Sequence, residues 1–211
     1  MHRFVFPIVA AIILLPSAVH ANLLSNSGFE TGDLSSWNAW SSSQMIYDWG
    51  HNGSAHSVAA WPFGGAWQDV NISNPNAPTL VGGWIYEDSA DPLTGDAGAN
   101  LRVEFKNASN MIVGQWTTNP LEGADLINDT WNSFSAIVTP AMSYGPGITK
   151  ATFVWEVGYG YSGGGRAIFD DLVIEPNPIP EPTSMLMLGF GLFSIGLFRK
   201  KETGLKKKEV K

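Results

Sequence analysis

The sequence predicts an all-β protein, a single jelly-roll β-sandwich that follows a secretion signal and precedes a short apolar segment. Helical periodicity is nearly absent between residues 22 and 176, where short apolar or alternating runs recur instead. Clusters of Gly, Pro, Asn and Asp separate these runs, as turns separate the strands of a sandwich. This segment, called the body below, is long enough for one domain with its own hydrophobic core.

The first 21 residues are typical of a secretory signal peptide. Arg3 precedes an apolar run at 4–15, and the triplet Val-His-Ala at 19–21 places small residues where a signal peptidase needs them. Cleavage after this triplet would begin the mature chain at Asn22. The alternative is an uncleaved amphipathic N-terminus.

Eight runs in the body are predicted strands. They lie at 56–61, 67–72, 80–86, 101–106, 111–116, 131–139, 151–157 and 166–174. In Leu-Arg-Val-Glu-Phe-Lys at 101–106, apolar residues alternate with charged ones, so we expect one buried face and one wet face. The polar residues at 107–110 predict the turn of a hairpin to the next run.

The charge of the body excludes one class of partner. Four basic residues stand against 16 acidic ones, a net charge of −12, whereas seven of the chain's 12 basic residues occupy the last 13 positions. An acidic body without a basic stripe repels phosphate, so we expect no nucleic-acid partner. The chain has no cysteine. An exported domain must then rely on its core, or on a metal, rather than on disulfides.

All nine tryptophans fall in the body, which suits a sugar-binding surface. They are Trp37, Trp40, Trp49, Trp61, Trp67, Trp84, Trp116, Trp131 and Trp155. Sugar rings stack their C–H faces on indole while their hydroxyls take hydrogen bonds, although most tryptophans of a sandwich fill its core. For a site on the concave face, we expect side chains from several strands: Trp84, Arg102, Glu104, Trp116 and Glu156.

Acidic residues near both ends of the body indicate a metal site. Asp170 and Asp171 are adjacent in an otherwise apolar strand, and Glu30 lies near the start of the body. An acid on the buried side of a strand needs a partner, and the body has few basic residues to supply one. A hard cation with about six to eight oxygen ligands would satisfy it, using carboxylates and carbonyls of the 48–56 loop. The alternative is that Glu30 caps a turn and the aspartates are solvated.

Four short motifs lie near the ends of the body. They are Asn-Ser-Gly-Phe-Glu at 26–30, a Gly-x-x-x-x-Trp step at 32–37, His-Asn-Gly-Ser-Ala-His-Ser at 51–57 and Ile-Phe-Asp-Asp-Leu-Val-Ile at 168–174. Together they resemble the galactose-binding-like jelly rolls typified by several carbohydrate-binding module families. In these modules a structural Ca²⁺ joins the Glu of the first segment to an Asp of the last strand. The resemblance implies Glu30 and Asp170 as ligands here, with Asp48 as a third candidate.

The sequence lacks the patterns that usually carry catalysis. Only His51 and His56 remain after removal of the signal peptide, and they lack the flanking ligands of a zinc site. No nucleophile elbow, cysteine nucleophile or phosphate-binding loop is present. Glycoside hydrolysis needs two carboxylates about 5–10 Å apart, a pair that 16 acids produce by chance. We therefore expect no enzymatic activity.

Three adjacent features close the chain. They are the tripeptide Pro180-Glu181-Pro182, an uncharged run at 183–198 and the basic cluster Arg199, Lys200 and Lys201. Together they resemble the PEP-CTERM sorting signal, which implies a transient membrane anchor recognised by exosortase, a membrane protease/transpeptidase. Sixteen uncharged residues are short for a bilayer core of about 30 Å, but snorkelling basic side chains would let a thin membrane hold them. The alternative is a plain tail anchor.

The chain therefore divides into five parts. Residues 1–21 are the signal peptide, 22–176 the sandwich, 177–182 a stiff proline-rich spacer, 183–201 the sorting helix with its basic cluster, and 202–211 a basic tail. PEP-CTERM signals usually end soon after the basic cluster, so this tail is a departure from the pattern.

We expect an exported protein of a Gram-negative-type bacterium. The basic cluster would stay cytoplasmic, which places the body beyond the inner membrane, first anchored there and then at the cell surface or outside the cell. Proteins with this signal accompany exopolysaccharide production, so the expected function is non-catalytic binding of extracellular polysaccharide, with Ca²⁺ holding the loops. One alternative is a structural biofilm or matrix protein whose sandwich binds other proteins. Another is a cryptic hydrolase with a deep cleft.

Overall fold

The computed structural model describes residues 21–158 and 163–176. This part of the chain is almost entirely β-structure, with one short helix, α1, at Pro140–Tyr144 and short 3₁₀ turns at His51–Gly53 and Gly123–Asp125. The strands are β1 Asn38–Ala39, β2 Gln44–Tyr47, β3 Ser57–Ala60, β4 Gly65–Asn71, β5 Thr79–Glu87, β6 Ala99–Asn107, β7 Ile112–Thr117, β8 Trp131–Val138, β9 Ile148–Val157 and β10 Ala167–Pro176. None of the helices between residues 21 and 176 that the structure describes is long and apolar enough to span a membrane.

The strands form two five-stranded antiparallel sheets. The front sheet has the order β1-β4-β9-β6-β7 and the back sheet the order β2-β3-β10-β5-β8. The prediction of an all-β jelly-roll sandwich is confirmed, and each of the eight predicted runs overlaps one of the strands β3 to β10. The expected signal peptide, spacer, sorting helix and tail lie outside the described residues.

The strand with the clearest alternation has the two faces that its sequence predicts. Leu101, Val103 and Phe105 of β6 have no exposed surface and join the core between the sheets. The charged residues between them point to the outer face of the front sheet. Residues 107–110 form the predicted hairpin turn, in which the Asn110 amide donates to the Asn107 carbonyl at 3.0 Å.

An aromatic cluster closes the centre of the sandwich. Phe29 stacks on Trp37 with ring centroids 5.8 Å apart and meets the edge of Trp155 at 5.8 Å. All three side chains are buried. Since Phe29 and Trp37 precede the first strand, the N-terminal segment of the body is part of the core.

The same N-terminal segment is tied to the last strand. The Leu23 amide donates to the Ile174 carbonyl at 2.8 Å. The Asn22 side chain donates to the Leu172 carbonyl at 2.7 Å and accepts from the Ile174 amide at 3.0 Å. The expected first residue of the mature chain is therefore hydrogen-bonded to β10.

Candidate functional site

Strand register lines up side chains from four strands on the outer face of the front sheet. In one row Trp67 of β4 lies opposite Val154 of β9, which lies opposite Arg102 of β6. Thr117 of β7 continues this row. Outward-facing positions of an antiparallel sheet stand side by side in this way, so residues far apart in the chain share one surface.

Arg102 is the centre of a charged network in this face. Its Nε lies 3.1 Å from Glu104 Oε1 and its Nη1 lies 2.8 Å from Glu156 Oε1. Lys106 Nζ lies 3.2 Å from Glu104 Oε2, and Asn100 donates to Glu156 at 3.0 Å. Such half-buried pairs add little to stability, but they fix the direction of each side chain. The front face therefore carries polar groups held in defined positions.

Trp40 lies across the same face because the residue beneath it is a glycine. A Cβ on Gly65 would overlap the indole ring of Trp40. The indole Nε1 donates to the Phe63 carbonyl at 3.2 Å, while 43% of the residue's surface stays exposed. The ring is thus anchored by its edge and open to solvent.

The indoles and the charged network form one groove. A pocket of about 410 Å³ shares the lining residues Trp40 and Arg102 with a second pocket of about 280 Å³. The lining residues, called the front groove below, are Trp40, Ser41, Phe63, Trp67, Asp69, Arg102, Glu104, Lys106, Thr152, Val154, Glu156, Val157 and Gly158. Apolar ring faces beside fixed hydrogen-bonding groups are the surface that a sugar ring requires.

The five predicted binding residues do not form a single group. The structure brings Arg102, Glu104 and Glu156 together in the front groove. Trp116 lies opposite Val103 in the ladder and packs against the core. Trp84 belongs to β5, in the back sheet. The prediction that Trp84 and Trp116 lie on one face with these three residues is therefore corrected.

Two tryptophans of the groove, Trp40 and Trp67, were not among the predicted binding residues. Their positions follow from the pairing of strands that are distant in the chain, and this pairing cannot be read from the alternation within each strand. The alternation in 66–70 does place Trp67 on one face of the strand and Ala66 and Val70 on the other. That signal is obscured because Gln68, a polar residue, occupies the buried position between them.

Trp84 instead helps to hold a loop on the outer face of the back sheet. The ring of His51 stacks on Trp84 with centroids 3.9 Å apart. Trp49 contacts Tyr86 at 5.1 Å and Trp131 at 6.0 Å. These contacts fix the loop between β2 and β3 over the sheet.

Asp170 lies beneath this loop and is completely buried. Its Oδ2 accepts the His51 amide at 2.7 Å and its Oδ1 accepts the Asp171 amide at 2.7 Å. Burial removes the carboxylate from water, and this raises the pKa of Asp170 to about 6 despite the two amide donors.

Glu30 contacts the same loop. It accepts hydrogen bonds from the Ser54 hydroxyl at 2.5 Å, the Ala55 amide at 3.2 Å and the His56 amide at 3.3 Å. These bonds, the hydroxyl bond first, lower the pKa of Glu30. Glu30 therefore caps a turn, as one of the two interpretations expected, whereas Asp170 is not solvated.

The residues around Asp170 offer the oxygen atoms that a hard cation prefers. A Cβ on Gly50 would overlap Asp170 Oδ2 and the His56 carbonyl oxygen, and would lie 2.6 Å from Ser54 Oγ, so three oxygens converge there. The third candidate ligand does not join them, because the Asp48 side chain is 99% exposed. Within the described ranges no group of three or more His, Asp or Glu side chains is placed to hold a metal. A cation here would depend on two carboxylates, a hydroxyl and a carbonyl.

The C-terminal pattern and the fold both have counterparts in known proteins. The family described as PEP-CTERM protein-sorting motif matches residues 178–201. No curated protein matches the sequence. The enzymatically active domain of tailspike protein 4 from bacteriophage CBA120 is similar in structure, with a TM-score of 0.50 and 14% identity over 74% of this chain. The likeness covers 21% of the tailspike chain, about a fifth of its length.

Carbohydrate-binding modules are also similar in structure. TmCBM61, solved with β-1,4-galactotriose, has a TM-score of 0.46 and 19% identity, over 73% of this chain and 97% of its own. A family 16 carbohydrate-binding module has a TM-score of 0.48 and 16% identity, over 72% of this chain and 99% of its own. At these identities the likeness concerns the fold alone. The chain thus carries the predicted PEP-CTERM sorting motif behind a β-sandwich body.

Proposed function

We propose that this is an exported, non-catalytic protein whose front groove binds extracellular polysaccharide. One observation carries the proposal. The exposed ring of Trp40 and the half-buried ring of Trp67 line the same groove as an arginine that two carboxylates hold in place. Indole faces take the C–H faces of sugar rings, and the oriented guanidinium and carboxylates take sugar hydroxyls.

The pairing in the groove supports binding rather than hydrolysis. Glycoside hydrolysis uses one carboxyl group that stays protonated and a second that is ionised. Their pKa values differ because their environments differ. Glu104 and Glu156 both contact the same guanidinium. Both carboxylates are thus held in ion pairs, an arrangement that supports holding a polymer rather than cleaving it.

The sorting motif supports the location that this function requires. A PEP-CTERM segment at 178–201 on a chain with a secretory start fits a protein that passes the inner membrane and is processed by exosortase. The body is then displayed at the cell surface or released into the surrounding matrix, where polysaccharide is its neighbour.

Ca²⁺ has a structural role in this proposal. Asp170, Glu30, the Ser54 hydroxyl and the His56 carbonyl would hold it, since these oxygens converge on the loop between β2 and β3. The ion would neutralise a buried carboxylate and tie this loop to the last strand and to the N-terminal segment. It stabilises the fold and does not touch the sugar.

Affinity electrophoresis of the exported protein in gels containing bacterial exopolysaccharides tests the function. Trp40→Ala should lower the affinity at least tenfold, because it removes a stacking surface. Trp49→Ala is the matched control, since Trp49 is 38% exposed against 43% for Trp40 but lies on the back sheet. Circular dichroism establishes that both variants fold.

Equal retardation of the wild type and Trp40→Ala would contradict the proposal. So would the absence of binding to every polysaccharide, which would favour a structural protein that binds other proteins. Release of reducing sugar from a bound polysaccharide would contradict the non-catalytic part alone.

A further inference from the structure

Glu87 is an acid buried where strand alternation calls for an apolar residue. It is the last residue of β5 and continues the inward-facing series that includes Val81 and Ile85. Its residue surface is fully covered. Oε1 accepts the Leu93 amide at 2.9 Å, but Oε2 has no hydrogen-bond partner within the described part of the chain. A buried carboxylate oxygen without a partner is costly, so this position calls for one.

No basic side chain that the structure describes supplies that partner. Among residues 21–158 and 163–176, no ion pair includes Glu87. The four lysines and arginines there contact other groups: Arg102, Lys106, Lys150 and Arg166. Within these residues, therefore, no basic group balances a charge on Glu87.

A polar pocket lies directly over this carboxyl group. It encloses about 310 Å³ and is lined by Glu87, Leu93, Thr94, Glu122, Gly123 and Asn128, among others. A Cβ on Gly123 would lie 2.7 Å from the Leu93 carbonyl oxygen and 2.9 Å from Glu87 Oε1. Oxygen atoms from two segments therefore converge on the space that a side chain at Gly123 would fill.

We propose that this pocket binds a divalent cation, Ca²⁺, with Glu87 as its buried ligand. Glu122, which also lines the pocket, supplies a second carboxylate, and the Leu93 carbonyl supplies a third oxygen. Ca²⁺ takes about six to eight oxygen ligands in flexible geometry, so water fills the remaining positions. The ion balances a charge that the body cannot otherwise balance.

The bound ion joins three segments at one end of the sandwich. It connects the end of β5 to the loop that contains Leu93 and to the 3₁₀ turn at Gly123–Asp125. With two carboxylates, the site belongs with the weak extracellular Ca²⁺ modules, whose dissociation constants are about 10⁻⁴–10⁻³ M. Without the ion, burial raises the pKa of Glu87, so a bound cation would offset the cost of the buried charge. The proposal is independent of the sugar-binding groove and of the site at Asp170.

Calorimetric titration of the exported protein with CaCl₂ at pH 7.5 tests the proposal. Glu30→Gln removes a ligand of the Asp170 site, so binding that remains in this variant reports the Glu87 pocket alone. Adding Glu87→Gln should abolish it, because the amide keeps the shape of the side chain but not its charge. Glu104→Gln is the control, since Glu104 already contacts Arg102 and Lys106, and it should bind Ca²⁺ as before.

Two results would overturn the proposal. One is an unchanged heat of Ca²⁺ binding when Glu87→Gln is added to a protein that circular dichroism shows to be folded. The other is no Ca²⁺ binding in Glu30→Gln, which would show that the Glu87 pocket does not hold the ion. If Glu87→Gln does not fold, Glu122→Gln replaces it, because Glu122 is exposed. That variant should weaken the binding at least fivefold, and unchanged affinity would refute the site.

Discussion

The buried carboxyl group of Asp170 predicts an unusual pH dependence of stability for the metal-free protein. Its pKa is raised to about 6 by burial, against 3.8 for a free aspartate. Folding therefore favours the protonated form, and between about pH 4 and pH 6 the folded state binds a proton that the unfolded state has lost. The contribution of Asp170 to the free energy of unfolding is retained below pH 4 and falls as the pH rises through 6.

The size of this fall follows from the two pKa values. Each pKa unit corresponds to about 1.4 kcal/mol, so the rise from 3.8 to about 6 makes the fall about 3 kcal/mol. Asp170→Asn removes it, because the amide does not ionise. The substitution also leaves one of two amide donors without an acceptor, at a cost of about 1 kcal/mol that does not depend on pH.

Urea unfolding followed by tryptophan fluorescence, at several pH values with EGTA present, measures this effect. The other ionisable groups contribute equally to both proteins, so the difference between the wild type and Asp170→Asn isolates Asp170. This difference should fall by about 3 kcal/mol between pH 3 and pH 7. Millimolar Ca²⁺ should abolish the fall in the wild type, because an ion bound only to the folded state favours the carboxylate. A difference that is flat or rises with pH would refute the argument from burial.

Two further predictions concern the groove and the core. Gly65→Ala should weaken polysaccharide binding at least fivefold in affinity electrophoresis, because its Cβ overlaps the ring of Trp40 and lies 2.6 Å from the Trp155 carbonyl oxygen. Gly164→Ala, whose Cβ has no neighbour nearer than 3.8 Å, should not weaken it. Equal affinities for both variants would contradict the role of Trp40. Phe29→Ala should lower the free energy of unfolding by about 3–5 kcal/mol, since it opens a cavity beside Trp155. Urea titration measures this, and a loss below about 1 kcal/mol would show that the N-terminal segment is not part of the core.

The fold could be predicted from the sequence because strand formation depends on local patterns. The alternation in 101–106 and the polar turn at 107–110 specify a hairpin wherever it lies in the sandwich. Two strands, β1 at Asn38–Ala39 and β2 at Gln44–Tyr47, were not predicted, since they are short and lie in a serine-rich segment without alternation.

The candidate groove could be predicted only in part. The structure brings Arg102, Glu104 and Glu156 to one face, and the regular alternation of 101–106 indicates this for the first two. The sheet that a strand joins is decided by contacts between distant residues, so Trp84 could not be assigned to the back sheet from its own neighbours. The unpartnered acid at Glu87 did leave a signal, since it ends an inward-facing apolar series. That signal can be interpreted only once it is known which face of β5 is buried.

The position of β10 has a mechanical consequence. This strand is the middle one of the back sheet, paired with β3 on one edge and with β5 along its length to Pro176. Ladder hydrogen bonds run perpendicular to antiparallel strands, so tension applied at Pro176 along the strand strains many of them at once, as in shear. A body tethered through this end while it grips a polymer resists extraction by the whole ladder rather than by one bond after another.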